Sequence, residues 1–195
     1  MNKISNILIR TANLDDLDAI AEVEAKCFPA AEAATKDEFC ERLSYYKDHF
    51  WLMFADSDER ESGADKSAAT GEYESDAEKN SASTSIKLIA FVDGMVTDEP
   101  DLTDEMYENA SMHNESSSWQ MIFGVNTLPE YRKNGCAGQL IERAIADAKK
   151  QGRKGLVLTC KDKLIHYYSK FGFVNEGVSA SVHGNVTWYQ MRLTF

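Results

Sequence analysis

The stretch from Trp119 to Thr159 constrains this chain more than any other. Trp119 to Asn126 reads as a strongly apolar strand. A turn carrying Arg132, Lys133 and Gly135 follows and feeds directly into a helix from about Cys136 to Lys150. Ala137, Leu140, Ile141, Ala144, Ile145 and Ala148 recur at the helical period, so one side of that helix is built for burial. Lys149 and Lys150 suit the negative end of its dipole, and Gly152 ends it. Leu156 to Thr159 is a short strand beyond. A strand, a glycine-bearing turn, an amphipathic helix and a second strand in succession belong to a sheet protein with helices packed on it.

The flanking sequence extends that frame. Ile7 to Arg10 has the pattern of a strand, and Asn13 caps a helix whose first turn holds Asp15 and Asp16, with Leu14, Leu17, Ile20 and Ala21 on one face. Pro29 ends it. Thr35 and Glu38 form a capping-box pattern that opens a second helix bearing Phe39, Leu43 and Tyr46. Phe50–Phe54 and Ile86–Val92 read as strands, Asp162–Lys170 as a short helix, and Phe171–Asn175 and Val186–Leu193 as closing strands. The order β-α-α-β-β-β-α-β-α-β-β predicts an α/β (α+β) fold with a mixed sheet and helices on both faces. A length of 195 residues suits a single domain over 1–195.

The net charge of −11 argues against a nucleic-acid partner, which needs basic patches. Its placement says more. Nine acidic and three basic residues give segment 55–85 a charge of −6, and seven acidic residues give segment 98–115 a charge of −7, so the rest of the chain carries +2. Segment 55–85 is rich in Ser, Ala, Asp, Glu and Gly, with Tyr73 its only large apolar residue. It cannot offset its ordering entropy and reads as a flexible acidic insertion. Segment 98–115 is a long connection with one helical turn around Asp104, and it is a candidate for steering cationic amines toward a cleft.

No run approaches the roughly 18 apolar residues of a membrane span. The first residues lack the apolar core and small-residue cleavage site of a signal peptide, so a cytoplasmic location and no membrane partner are expected. Cys27, Cys40, Cys136 and Cys160 form no C-x-x-C pair and read as free thiols, with no metal implied.

The turn before the long helix carries the chemistry. The first four N–H groups of a helix lack internal partners and the dipole there is positive, so an anion docks readily. Gly135 and Gly138 allow close backbone approach, and Arg132 and Lys133 add positive charge. The spacing is neither a Walker A loop nor G-x-G-x-x-G. Residue chemistry alone leaves open an anion site or an ordinary turn with two surface cations.

The segment Arg132-x-x-Gly135-x-Ala137 is similar to the Q/R-x-x-G-x-G/A signature of the GNAT acetyltransferase superfamily. Val125-x-Thr127-x-Pro129-x-Tyr131 resembles that family's lead-in, and Tyr168-x-x-x-Gly172-Phe173 resembles its second landmark. The run from Leu158 to Phe173, with Cys27-Phe28-Pro29, is similar to the arylalkylamine (serotonin) N-acetyltransferase branch. The resemblance implies a mostly antiparallel GNAT-type sheet and acetyl-CoA as cosubstrate. It further implies that the amides of Lys133, Asn134, Gly135, Cys136, Ala137 and Gly138 hold the CoA pyrophosphate, while the edge of Val125, Asn126 and Thr127 pairs with the pantetheine arm.

A tyrosine at position 168 fits that chemistry, because a phenol can protonate the departing CoA thiolate. Tyr167, one residue away, faces elsewhere. The serotonin-branch relatives carry two histidines on the strand before the CoA turn; Met121 and Phe123 stand at those positions here. That departure leaves the general base open, with His183, Glu24 and His113 conceivable. No cysteine lies in a nucleophile pattern, so direct transfer without an acyl-enzyme is expected. The reading is an N-acetyltransferase for a small primary amine, a monomer or homodimer; a protein lysine or N-terminal acetyltransferase and a non-catalytic acyl-CoA-binding module are the alternatives.

Overall fold

The computed structural model describes residue 4, residues 6–56 and residues 86–195. Along the chain come β1 (Leu8–Thr11), α1 (Leu17–Cys27), α2 (Lys36–Tyr46), β2 (Phe50–Asp56), β3 (Ile86–Asp93), β4 (Val96–Thr97) and α3 (Glu105–Glu108). Then follow β5 (Trp119–Ile122), β6 (Gly124–Thr127), α4 (Cys136–Lys150), β7 (Gly155–Cys160), α5 (Ile165–Ser169), β8 (Val174–Val178) and β9 (Tyr189–Thr194). Of the expected 55–85 insertion, Ala55 and Asp56 complete β2, and 57–85 lie outside the described residues.

Local chemistry sets the helix starts. The Asn13 side chain accepts from Asp15 N–H at 2.8 Å and the Asp16 carboxylate accepts from Asn13 N–H at 2.8 Å, forming a short 3-10 turn that leads into α1. At α2 the Thr35 hydroxyl accepts from Glu38 N–H at 3.2 Å, and Glu38 accepts from Thr35 N–H at 2.6 Å. Both reciprocal bonds of the capping box are present.

β2 is apolar on both sides because both sides are covered. Phe50, Leu52 and Phe54 join Ile20, Val23, Phe39, Leu43 and Phe91 in a core under α1 and α2. Trp51, Met53 and Ala55 join Leu140, Ile141, Ala144 and Ala148 in a second core under α4. The alternation follows from the two-residue period of a strand.

The strands form two sheets. One is antiparallel in the order β1-β2-β3-β6, and the other runs β4-β5-β7-β9-β8 with β5 and β7 parallel and its other pairs antiparallel. The chain passes between them at Gly94–Met95 and at Phe123, so the expected single strand Trp119–Asn126 is two strands broken at Phe123. The expected Asp162–Lys170 helix is a 3-10 turn, Asp162–Leu164, followed by α5. β8 begins three residues later than expected, after Gly172 turns the chain at φ 91°. No helix among the described residues is long and apolar enough to cross a membrane.

Candidate active site

The break at Phe123 opens a wedge. β5 pairs with β7 through Ile122↔Leu158, and there the pairing stops, while β7 continues against β9 to Cys160. β6 has meanwhile turned to β3, with Asp93↔Gly124 through Ala90↔Thr127 in register. Asp93 makes the turn. Its carbonyl accepts from Phe123 N–H at 2.8 Å and its carboxylate accepts from Gly124 N–H at 3.1 Å, so two successive amides are drawn to one residue. A Cβ on Gly124 would lie 2.6 Å from Asp93 Oδ1 and 2.8 Å from Asn126 Nδ2, which explains the glycine. Leu128 N–H donates to Ile89 O at 2.9 Å, and the alternation of an antiparallel ladder then faces the backbone of Asn126 to β3 and that of Val125 and Thr127 into the wedge. Arg132 Nε donates to Thr127 O from that side at 3.1 Å.

The turn after β6 sits at the mouth of the wedge. Lys133, a residue with a Cβ, holds φ 66°, and Gly135 holds φ 82° at the N-cap of α4 without any side-chain capping bond. The amides that open α4 are therefore bare of side-chain acceptors. Lys133 and Gly135 are exposed, Asn134 is half-buried with its amide donating to Tyr131 O at 3.1 Å, and Cys136 is buried. Burial raises the Cys136 thiol, which makes it a poor nucleophile. The Arg132 guanidinium holds Thr127 rather than standing free at the turn.

Two cavities run along the wedge. The outer one, ≈380 Å³, is lined by Cys27, Val125, Thr127, Arg132 and Ala137. The inner one, ≈140 Å³, reaches Glu24, Arg42, Asp93, Phe123 and Thr159. Phe28, Glu32, Val125, Leu164, Tyr168 and Trp188 line both, so the two meet at those residues. Tyr168 is buried at the junction, and among the described residues nothing hydrogen-bonds its hydroxyl. Burial pushes its phenol well above the ordinary range, with Cys160 and Tyr167 adding to the rise, so it holds its proton at every working pH. Tyr167 lines the outer cavity only.

The inner cavity is rich in carboxylates, and they come from α1, the loop after it, α2 and β3 rather than from the acidic connection. Both oxygens of Glu32 accept from Lys161 Nζ at 2.9 Å, and Glu38 is engaged in its capping box. Arg42 reaches Asp93 at 3.4 Å and Tyr107 O at 2.9 Å. Burial pushes the Asp93 carboxyl up to about 6 against the opposing pull of Arg42 and Gly124 N–H. Burial pushes Glu24 up to about 7, with Asp93 adding to the rise and Ala34 N–H, Arg42 and Asn126 opposing it. Segment 98–115 contributes only Tyr107 to this lining, among the described residues. Its acids serve elsewhere: Asp101 with Arg192, Asp104 with Ser181 and Val182, Glu115 with His49 and Arg153.

His49, His113 and Glu115 form a cluster that the sequence does not announce, since His49 lies far along the chain from the His113–Glu115 pair. Their donor atoms lie within 4.8 Å of one another. The cluster's contacts are those of a hydrogen-bonded network. His113 Nδ1 accepts from Val96 N–H at 3.1 Å, so the neutral ring carries its proton on Nε2, the atom that faces Glu115. Burial, with His49 nearby, lowers His113 to about 4 and keeps it neutral. Arg153 already supplies the cation to Glu115. His113 is thus no base for the wedge, and Met121 is sealed in the core. Phe123 lines the inner cavity.

Residues 109–195 match the family model described as Acetyltransferase (GNAT) domain. The loading GNATL domain of CurA from Lyngbya majuscula superposes with a TM-score of 0.70 at 13% identity, covering 97% of this chain and 98% of that one. The fold is the GNAT fold. The ribosomal-protein-S18-alanine N-acetyltransferase from Escherichia coli gives 0.60 at 15% identity over 97% and 94%. A GNAT family acetyltransferase from Brucella melitensis, in complex with acetyl-CoA, gives 0.53 at 15% over 97% and 88%. The family match supports an acyltransferase, and the neighbours share its fold.

Proposed function

We propose that this chain transfers the acetyl group of acetyl-CoA directly to a small primary amine. The observation that carries the reading is the Tyr168 hydroxyl, unbonded among the described residues, at the junction of the two cavities that Val125 also lines. The residues fit the cosubstrate. The bare amides from Lys133 to Gly138 receive a pyrophosphate, and the backbone of Val125 and Thr127 pairs with the two amides of a pantetheine arm in the outer cavity. The thioester then lies beside Tyr168. The amine attacks the carbonyl carbon, the C–N bond forms, the C–S bond breaks, and Tyr168 gives its proton to the leaving sulfur.

The small acceptor is supported by the size of the inner cavity, ≈140 Å³, and by the Glu32–Lys161 ion pair, which joins the α1–α2 loop to the end of β7. A peptide acceptor needs a groove open along its length. Thiol release from acetyl-CoA across aryl amines, polyamines and peptides tests the acceptor class, and a preference for peptides overturns the small-amine reading. Tyr168→Phe should lower kcat by about 10²-fold or more while leaving the acetyl-CoA Kd from calorimetry within a few-fold. A chain that only binds acyl-CoA shows no turnover in either form.

A further inference from the structure

We propose that Glu24 is the general base that takes the proton from the incoming ammonium, with Asn126, Asp93 and Arg42 as its positioning and tuning neighbours. This rests on the acetyltransferase reading above.

A protonated amine has no lone pair, so a group in the acceptor cavity must accept its proton before the C–N bond can form. The charged and titratable groups facing that cavity are Glu24 from α1, Glu32 from the following loop, Glu38 and Arg42 from α2, Asp93 from β3, and His183. Tyr107, Cys160 and Tyr168 also face it and hold their protons, their pKa values raised by burial. Elimination leaves one carboxylate. Glu32 is clasped through both oxygens by Lys161, Glu38 closes the cap of α2, and Asp93 holds Gly124 N–H and Arg42. His183 stacks on Tyr107 at 5.3 Å and directs Nε2 at Glu32 O, 3.2 Å away. Among the described residues Glu24 accepts one hydrogen bond, from Ala34 N–H to Oε1 at 3.1 Å, and its Oε2 has no partner although the residue is only 5% exposed. Asn126 lies beside it, fully buried and near enough to hold its pKa down, yet among the described residues neither polar atom of its side chain reaches full hydrogen-bond geometry.

This arrangement suits a base better than a structural carboxylate. Ala34 N–H fixes the orientation of the carboxyl while leaving most of its acceptor capacity unused. Burial and the Asp93 carboxylate hold its affinity for a proton near neutrality, where a base is both ionised often enough and strong enough to act. The protons balance. R–NH3⁺ gives one to Glu24 and attacks as R–NH2; the second N–H proton, lost as the amide forms, replaces the one that Tyr168 gives to the sulfur. One proton in all leaves for solvent.

The test compares wild type, Glu24→Gln and Glu24→Asp on the amine that wild type acetylates best, with thermal melting and acetyl-CoA calorimetry confirming that each variant folds and binds the cosubstrate. In wild type kcat/KM should rise with pH through a limb near 7, as Glu24 ionises. Glu24→Gln should lose that limb and about 10²- to 10³-fold in kcat at pH 7. Glu24→Asp should keep a limb at reduced rate. Methoxyamine, a neutral free base at pH 7, needs no prior deprotonation, so its acetylation should fall less than tenfold in Glu24→Gln. Equal losses for both acceptors, or a limb that survives in Glu24→Gln and disappears in His183→Gln, would overturn the assignment. Failure of wild type to turn over any amine would instead sink the acetyltransferase reading itself.

Discussion

At the scale of single residues, the site depends on one substitution-intolerant glycine. Gly124 lets the strand leave β7 while the Asp93 carboxylate grips its amide at 3.1 Å. In Gly124→Ala the new methyl group would press on Asp93 Oδ1 and Asn126 Nδ2, and both are completely enclosed, so neither has room to swing aside. Displacing Asp93 also leaves Arg42 with a weakened partner in a buried setting. Gly124→Ala should therefore lower stability by about 1–3 kcal/mol, read from denaturant unfolding. It should reduce kcat/KM more than acetyl-CoA affinity, because the wedge moves while the turn at Gly135 stays. Unchanged unfolding midpoints would show that the floor of the wedge is softer than its packing implies.

At the scale of elements, the local signals were the legible ones. α4 runs from Cys136 to Lys150, the bounds its apolar stripe and terminal lysines predict. The Thr35 box is present atom for atom, so Thr35→Ala should cost about 1 kcal/mol in thermal or chemical unfolding. A loss within error would mean that tertiary packing alone holds the start of α2. The break at Phe123 was not legible, because Met121 to Val125 carries no polar side chain and the residue that splits the run, Asp93, lies thirty positions away in sequence. The turn from Arg132 and the tyrosine at 168 could be singled out as candidates because the motifs they resemble are contiguous in the chain. Glu24, Arg42 and Asp93 come from three different elements, and a sequence does not show which of its many charges will be buried together. A like separation conceals the meeting of His49 with His113 and Glu115. The acidic connection shows the same limit: its charge density is plain in the sequence, but the partners of Asp101, Asp104 and Glu115 lie far along the chain.

At the scale of the whole molecule, a buried base should weaken the fold that carries it, and the sign of that penalty can be worked out. The Glu24 carboxyl has an ordinary value of 4.5 and rises to about 7 in the folded chain. Below 4.5 it is protonated folded or unfolded and has no effect on the equilibrium. Between 4.5 and 7 the unfolded chain ionises first, so stability falls as pH rises. Above 7 both forms are ionised and the penalty is constant, at most about 3 kcal/mol for a shift of this size. Other carboxylates pull the other way, since Asp16, Glu115 and Glu176 are lowered by their cationic or hydrogen-bonding partners. The net stability curve therefore mixes both signs, and the informative quantity is the difference between wild type and Glu24→Gln. That difference should be smallest near pH 4.5, grow in favour of the variant up to pH 7, and level off beyond it. At roughly 2–4 °C per kcal/mol for a chain of this size, melting temperatures resolve it readily. A carboxylate retained for the fold would give the opposite slope, because its partners would hold its pKa down. Two curves that run parallel across this range would show Glu24 to be solvated, and a solvated glutamate at that position has neither the strain nor the proton affinity that the proposed step requires.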